Sequence, residues 1–200
     1  AGMRCAYVVN GAVLSGFTLT NGSTASGMCG PSLPACGIDH NGGGAFCEDT
    51  GMLTNCVLAG NSAANEGGGS AGGILNNCRL TGNSSDFNGG GSAGGILNQC
   101  VLTSNSTAYV GGGAYGGTLN NCLLTGNSVS YGAGAGGCTL NNCTVTGNRG
   151  WGVGGVFGST LKNCIVYGNT GDGDCLANYL ECAFTNSCTT PAPGGTGNIT

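Results

Sequence analysis

Charge is what this chain lacks most. Only 6% of its 200 residues are Asp, Glu, Lys or Arg, and the formal net charge is −4. The basic residues, Arg4, Arg79, Arg149 and Lys162, are scattered. They form no basic stripe, which nucleic-acid binding needs. No apolar run approaches the roughly 18 residues of a membrane-spanning helix, so membrane insertion is not expected. One histidine, His40, and no Cys-x-x-Cys pair leave no zinc site to expect, and no other metal or cofactor. Disordered chains carry more charge and less periodicity, so an ordered chain is expected. No leader peptide is visible, although Ala1 fits a mature end left by cleavage.

What the chain has in excess is glycine, at 45 residues, and cysteine, at 14. The glycines follow no Gly-X-Y period, which excludes collagen. The cysteines keep a beat: Cys56, Cys78, Cys100 and Cys122 are 22 residues apart, and Cys143 and Cys164 follow at intervals of 21. Around them one phrase returns, as in Leu75-Asn-Asn-Cys-Arg-Leu-Thr-Gly-Asn83 and Leu119-Asn-Asn-Cys-Leu-Leu-Thr-Gly-Asn127. A repeat of this length with short strands and many turns marks a solenoid. Two residues after each cysteine comes Leu58, Leu80, Leu102, Leu124, Val145 or Val166. Three before it comes Leu53, Leu75, Leu97, Leu119, Leu140 or Leu161; Leu14 opens the series with Phe17 in the cysteine slot. Arg79, Thr144 and Lys162 lie between these columns and must face water. Alternation of apolar and polar residues at period two is that of a half-buried strand.

The expected fold is therefore all-β, a parallel β-helix of about eight rungs of 21–22 residues, each with three short strands. At about 4.8 Å per rung it makes a rod about 40 Å long. Residues 1–200 form one domain, with an inserted loop at 23–41 and an irregular C-terminal rung at 170–200. The last rung is read from Cys182-Ala-Phe-Thr-Asn186. The glycine-rich stretches, such as Gly89-Gly-Gly-Ser-Ala-Gly-Gly95, make a thin wall where backbones approach closely.

Gly43-Gly-Ala45 and Gly112-Gly-Ala114, with Leu80-x-x-Asn83 and Leu124-x-x-Asn127, carry a family resemblance. They resemble the secreted right-handed parallel β-helix repeat proteins of bacteria, within the pectate-lyase-like superfamily. The nearest likeness is to polymorphic outer-membrane protein repeats, marked by Gly-Gly-Ala-(Ile/Leu) and Phe-x-x-Asn. The resemblance covers roughly residues 10–190 and implies right-handed coiling. It implies no particular activity, since that superfamily holds lyases, hydrolases, adhesins and structural passengers.

Four sets of residues are candidates for a role. The first is a core column, Cys56, Cys78, Cys100, Cys122, Cys143, Cys164 and Cys182, read as stacked thiols or in part as bridges. Off the beat, Cys29 with Cys36 and Cys175 with Cys188 are candidate disulfides. The second is an amide ladder of Asn61, Asn83, Asn105, Asn127, Asn148 and Asn169, at a turn where asparagine tolerates the left-handed conformation. The third is an aromatic column, Phe87, Tyr109, Tyr131 and Trp151, serving as a corner ladder or as a platform for sugar rings. The fourth is the pair of ends. Ala6, Tyr7, Val8 and Val9 open the chain in strand-like fashion, and Asn198, Ile199 and Thr200 read like the start of another strand.

Catalysis is not expected. The acids Asp39, Glu48, Asp49, Glu66, Asp86, Asp172, Asp174 and Glu181 share no column, and the densest group, Asp39, His40, Glu48 and Asp49, reads as loop charge. Asp172 and Asp174 read in the same way rather than as a calcium site. The leading expectation is an extracellular or cell-surface structural or adhesive protein that stacks head to tail on itself into a filament, sheath or surface layer. Its many cysteines suit an oxidising compartment. A carbohydrate-binding or polysaccharide-degrading β-helix is the alternative, with glycans as partners. Ice binding through Thr81, Thr103, Thr125 and Thr146 is a distant third, because only Thr18/Thr20 and Thr144/Thr146 supply the Thr-x-Thr pair.

Overall fold

A computed structural model describes residues 2–24, 38–129, 131–172 and 177–200, and it is a parallel β-solenoid. One turn shows the plan. Ser92–Ala93 lies on a first, glycine-lined face, Ile96–Asn98 on a second, Val101–Thr103 on a third and Ser106–Thr107 on a fourth. Each strand pairs in parallel and in register with its equivalents below and above: Leu97 faces Leu75 and Leu119, and Leu102 faces Leu80 and Leu124. The first three faces are eight-stranded sheets and the fourth is six-stranded. Two expectations are thereby corrected. A turn has four strands, because the two-residue Ser strand after each Asn also pairs. About six turns are complete rather than eight, since among the described residues the first and last have no fourth strand.

The core is narrow. Leu53, Leu75, Leu97, Leu119 and Leu140 on the second face, and Leu58, Leu80, Leu102 and Leu124 on the third, are fully buried. The glycine wall closes the other side because nothing larger fits. A Cβ on Gly91 would lie 2.4 Å from the Gly113 carbonyl oxygen and 3.0 Å from the Asn105 side-chain nitrogen.

Two of the four corners share one device throughout the complete turns, and a third shares it at Gly137-Cys138, Gly158-Ser159 and Glu181-Cys182. One residue adopts positive φ, and the next turns its side chain inward. Between second and third faces the left-handed residue is Asn55, Asn77, Gln99, Asn121, Asn142 or Asn163 (φ 52° to 55°) and the inward one is cysteine. Between third and fourth faces the left-handed residue is Gly60, Gly82, Ser104, Gly126, Gly147 or Gly168, followed by the inward asparagine. The left-handed conformation expected of the ladder asparagines thus belongs to the residue before them. The bend turns the inward residue's N–H out of reach of a neighbouring backbone carbonyl. A side-chain atom from the next turn accepts it instead.

The asparagine ladder does this throughout. The Asn105 N–H and its Nδ2 both donate to Asn127 Oδ1 at 3.0 Å, Nδ2 also donates to the Leu80 carbonyl at 3.0 Å, and Oδ1 accepts from Asn83. The same pattern runs from Asn61 to Asn169. Beyond Asn169 the next acceptor is Asn178 Oδ1, reached from the glycine face, and Asn178 Nδ2 ends the ladder on the Thr190 carbonyl. A second, outward ladder runs on the second face, from Asn141 to Asn120, Asn98 and Asn76 at 2.8–3.0 Å.

Removing one inner amide orphans buried groups on two turns. Asn105→Ala should therefore lower the unfolding free energy by about 3–5 kcal/mol, since each unsatisfied buried group costs about 1–3 kcal/mol. Asn98→Ala on the outward ladder should cost under about 1 kcal/mol. Urea unfolding of the two variants checks this, and equal midpoints would contradict it.

Candidate functional site

The cysteine column is the largest set of chemically reactive side chains that the fold brings together. Cys56, Cys78, Cys100, Cys122, Cys143 and Cys164 stack at the corner between second and third faces, all buried. They are free thiols. Each sulfur stands in for a backbone acceptor: the N–H groups of Cys78, Cys100, Cys122 and Cys143 donate to the Sγ of Cys100, Cys122, Cys143 and Cys164 at 3.4–3.5 Å. The thiols in turn donate to carbonyls, as Cys100 does to Asn98 at 3.4 Å. At the next step Ser187 Oγ takes the sulfur's place for Cys164 at 3.0 Å, and Asn198 Oδ1 ends the series on the Ser187 N–H.

Cys182 does not belong to this column. It lies at the corner between first and second faces, where the Cys138 N–H donates to Ser159 Oγ and the Ser159 N–H donates to Cys182 Sγ. Phe184, not a further leucine, continues the Leu161 column, which shifts the last turn's alignment. Cys188 is a free thiol, and its would-be partner Cys175 lies outside the described residues, as do Cys29 and Cys36.

Burial pushes the Cys47 thiol up to about 12 and that of Cys138 up to about 11. Inside the column the neighbours dominate. Hydrogen bonding with Cys100 draws Cys78 down to about 7 and is also the main cause drawing Cys122 down. The neighbouring Cys122 pushes Cys100 up and Cys143 up to about 12.

The aromatic column is only partly formed. Phe87 and Tyr109 stack with centroids 5.3 Å apart and planes within 4°. The next turn is one residue shorter at this corner, so Tyr131 pairs with Val110 instead and its ring leans on Phe157 at 6.2 Å. Trp151 lies off the line, its amide bonded to Val129, and is 78% exposed. It borders an open hollow of about 270 Å³ with Ser128, Arg149 and Asp172; the last two form an ion pair at 3.6 Å.

The acids are dispersed among structural partners. Asp39 pairs with Arg4 at 3.9 Å, and the Arg4 guanidinium lies over Tyr7 and Phe46 and donates to the Ile38 carbonyl. Glu48 accepts from the Asn10 N–H and from the Tyr7 hydroxyl, both at 2.8 Å, which clasps the first turn to the second. These bonds, the Asn10 N–H first, hold the Glu48 carboxyl below its ordinary range. Asp174 lies outside the described residues. Among the described residues no group of three or more His, Cys, Asp or Glu is placed to hold a metal ion.

The two ends differ. At the first turn Val9, Val13 and Phe17 are exposed, and Ala6, Val8, Ala12 and Leu14 line an open hollow of about 400 Å³. At the last turn Tyr179 packs edge-on against Phe184 at 4.9 Å, and residues 190–200 fold across the end. There Ile199 pairs with Cys188, the Asn186 N–H donates to the Thr196 carbonyl, and Asn198 Nδ2 donates to the Phe184 carbonyl. Asn198 and Ile199, expected as free stacking residues, are thus paired within the chain.

No protein-family model matches this chain, and neither a curated protein nor a solved structure is similar to it. The parallel solenoid architecture stands on the strand pairing alone.

Two outcomes are expected here. Ser187 and Ser159 show that a hydroxyl serves as the corner acceptor. Cys100→Ser should therefore fold with a loss below about 1.5 kcal/mol, whereas Cys100→Ala orphans the Cys78 N–H and should lose about 1–3 kcal/mol more. Thermal unfolding compares them, and an alanine variant as stable as the serine one would refute the acceptor role. The Glu48 clasp is present above about pH 4.3, the carboxyl's unfolded value, and is lost as pH falls through the lower folded value. The protection factor of the Asn10 amide should then fall at acid pH, while Glu48→Ala should leave that amide unprotected at every pH.

Proposed function

We propose that this chain is a non-enzymatic structural or adhesive rod that associates end-on with further copies of itself by strand pairing. The observation that carries the reading is the one-sided pairing of the first turn among the described residues. Its strands Ala6–Val8, Val13–Ser15 and Thr18–Thr20 are paired on one side only. Its apolar side chains and hollow core mouth face outward. An edge of this kind is a template for another chain.

The seat on the next copy is the outer edge of Ile199, which extends the third face at the other end. Repetition of that heterologous contact makes an open filament. The finer family reading, a pectate-lyase-like β-helix with outer-membrane-type repeats, and the placement outside the cell rest on sequence pattern and composition. Binding of glycans is a second reading, favoured by the exposed rings of Tyr109, Tyr131 and Trp151.

Electron microscopy of the purified chain at rising concentration tests the assembly. Filaments with an axial repeat near 40 Å, about eight levels of about 4.8 Å, are expected. Val13→Lys with Phe17→Lys should abolish them while leaving the circular-dichroism spectrum unchanged. Particles that stay monomeric at every concentration would end the proposal.

A further inference from the structure

We infer that the cysteine column is a binding site for soft monovalent d10 cations, Cu(I) or Ag(I), each held in line between the sulfurs of two adjacent turns. The inference is independent of end-on assembly.

Three features of the column support it. The first is spacing. In-register turns repeat at about 4.8 Å. A metal–thiolate bond is about 2.3 Å, so a linear sulfur–metal–sulfur unit spans about 4.6 Å. The column therefore offers two ligands per interval without any backbone movement. It offers no more than two, which agrees with the absence of a three-ligand cluster among the described residues. Soft thiolates in low coordination select soft ions, whereas structural zinc takes four ligands.

The second feature is the hydrogen bonding already aimed at the sulfurs. Cys100, Cys122, Cys143 and Cys164 each receive one backbone N–H along the axis. Donors to coordinated sulfur are what stabilise a metal thiolate in a buried setting. Here they are supplied by the solenoid before any ion arrives.

The third feature is that nothing else consumes these thiols. All six are free. Their parallel, in-register Cβ directions suit a disulfide poorly, and Ser187 and Ser159 show that the fold does not require sulfur to satisfy the corner N–H. Sulfur is therefore retained at positions where oxygen would serve the packing.

A sulfur bonded to its own Cβ cannot take two ions on opposite sides along one straight line. The ions occupy alternate intervals, giving the pairs Cys56–Cys78, Cys100–Cys122 and Cys143–Cys164. At each pair two S–H bonds break, two S–metal bonds form and two protons pass to solvent. The pair then carries one net negative charge, which the axial N–H donors face. No oxidation or reduction is involved.

The folded chain is titrated anaerobically with Cu(I) against a competing chromophoric chelator, and X-ray absorption is recorded on the product. About three ions per chain are expected in the column, with two sulfur neighbours near 2.2–2.3 Å and an unchanged β-sheet spectrum. The double variant Cys100→Ser with Cys122→Ser should fold and bind one ion fewer. The variant Cys5→Ser, outside the column, should bind as the parent does. The assignment is overturned by an unchanged stoichiometry in the double variant, by three or four sulfur neighbours per ion, or by uptake that occurs only when the sheet signal is lost.

Discussion

A solenoid of single-residue corners has one obligation that recurs at every level. At the cysteine and asparagine corners the residue after the left-handed position presents an N–H along the axis that a side chain of the next turn accepts. A buried donor left unpaired is costly, and two corners of every complete turn present one. The chain meets the obligation with side chains of the next turn: sulfur at one corner and amide oxygen at the other, with Ser159 and Cys182 doing the same at a third corner late in the chain. The 22-residue beat follows from this requirement. An acceptor one position early or late would leave a donor bare, so the step of five residues from each cysteine to its asparagine is held constant while the change from 22 to 21 falls elsewhere in the turn.

The same requirement explains which features were legible in the sequence. The leucine, cysteine and asparagine columns repeat because each faces an identical neighbour above and below, and an identical environment selects an identical residue. Features without that translational symmetry were misread. Asn178 and Asn198 end the two ladders, yet each comes from outside its column, one from the glycine wall and one from the segment that crosses the last turn. Cys182 kept the residue type of the ladder but not its place, because the last turn exchanges cysteine for Ser187. Tyr131 and Trp151 slipped when the turn shortened from 22 to 21 residues at their corner. The fourth strand is two residues long, too short for an alternating pattern to register.

Cysteine content also changes meaning once the geometry is known. Fourteen cysteines in 200 residues read at first as an oxidising compartment, with a stacked column bridged at most in part. Those described are thiols, and most serve as hydrogen-bond acceptors of modest size in a core only a few side chains across. Glycine has a parallel role. At Gly91 the wall is thin because an asparagine from the ladder fills the place where a side chain would go. The wall and the ladder are two halves of one packing solution, so neither can be altered alone.

Burial of the amide ladder has a consequence for the cell in which this protein is made. Asn83-Ser-Ser85 and Asn105-Ser-Thr107 have the form of N-glycosylation acceptors, but both asparagines are fully buried and bonded on every side. Asn21-Gly-Ser23 has the same form and is exposed. An oligosaccharide attached to Asn83 or Asn105 while the chain is still unfolded would occupy space the closed turn does not have. A secretory pathway that glycosylates ahead of folding would therefore jam the solenoid at its third and fourth turns, and a host without that machinery would not.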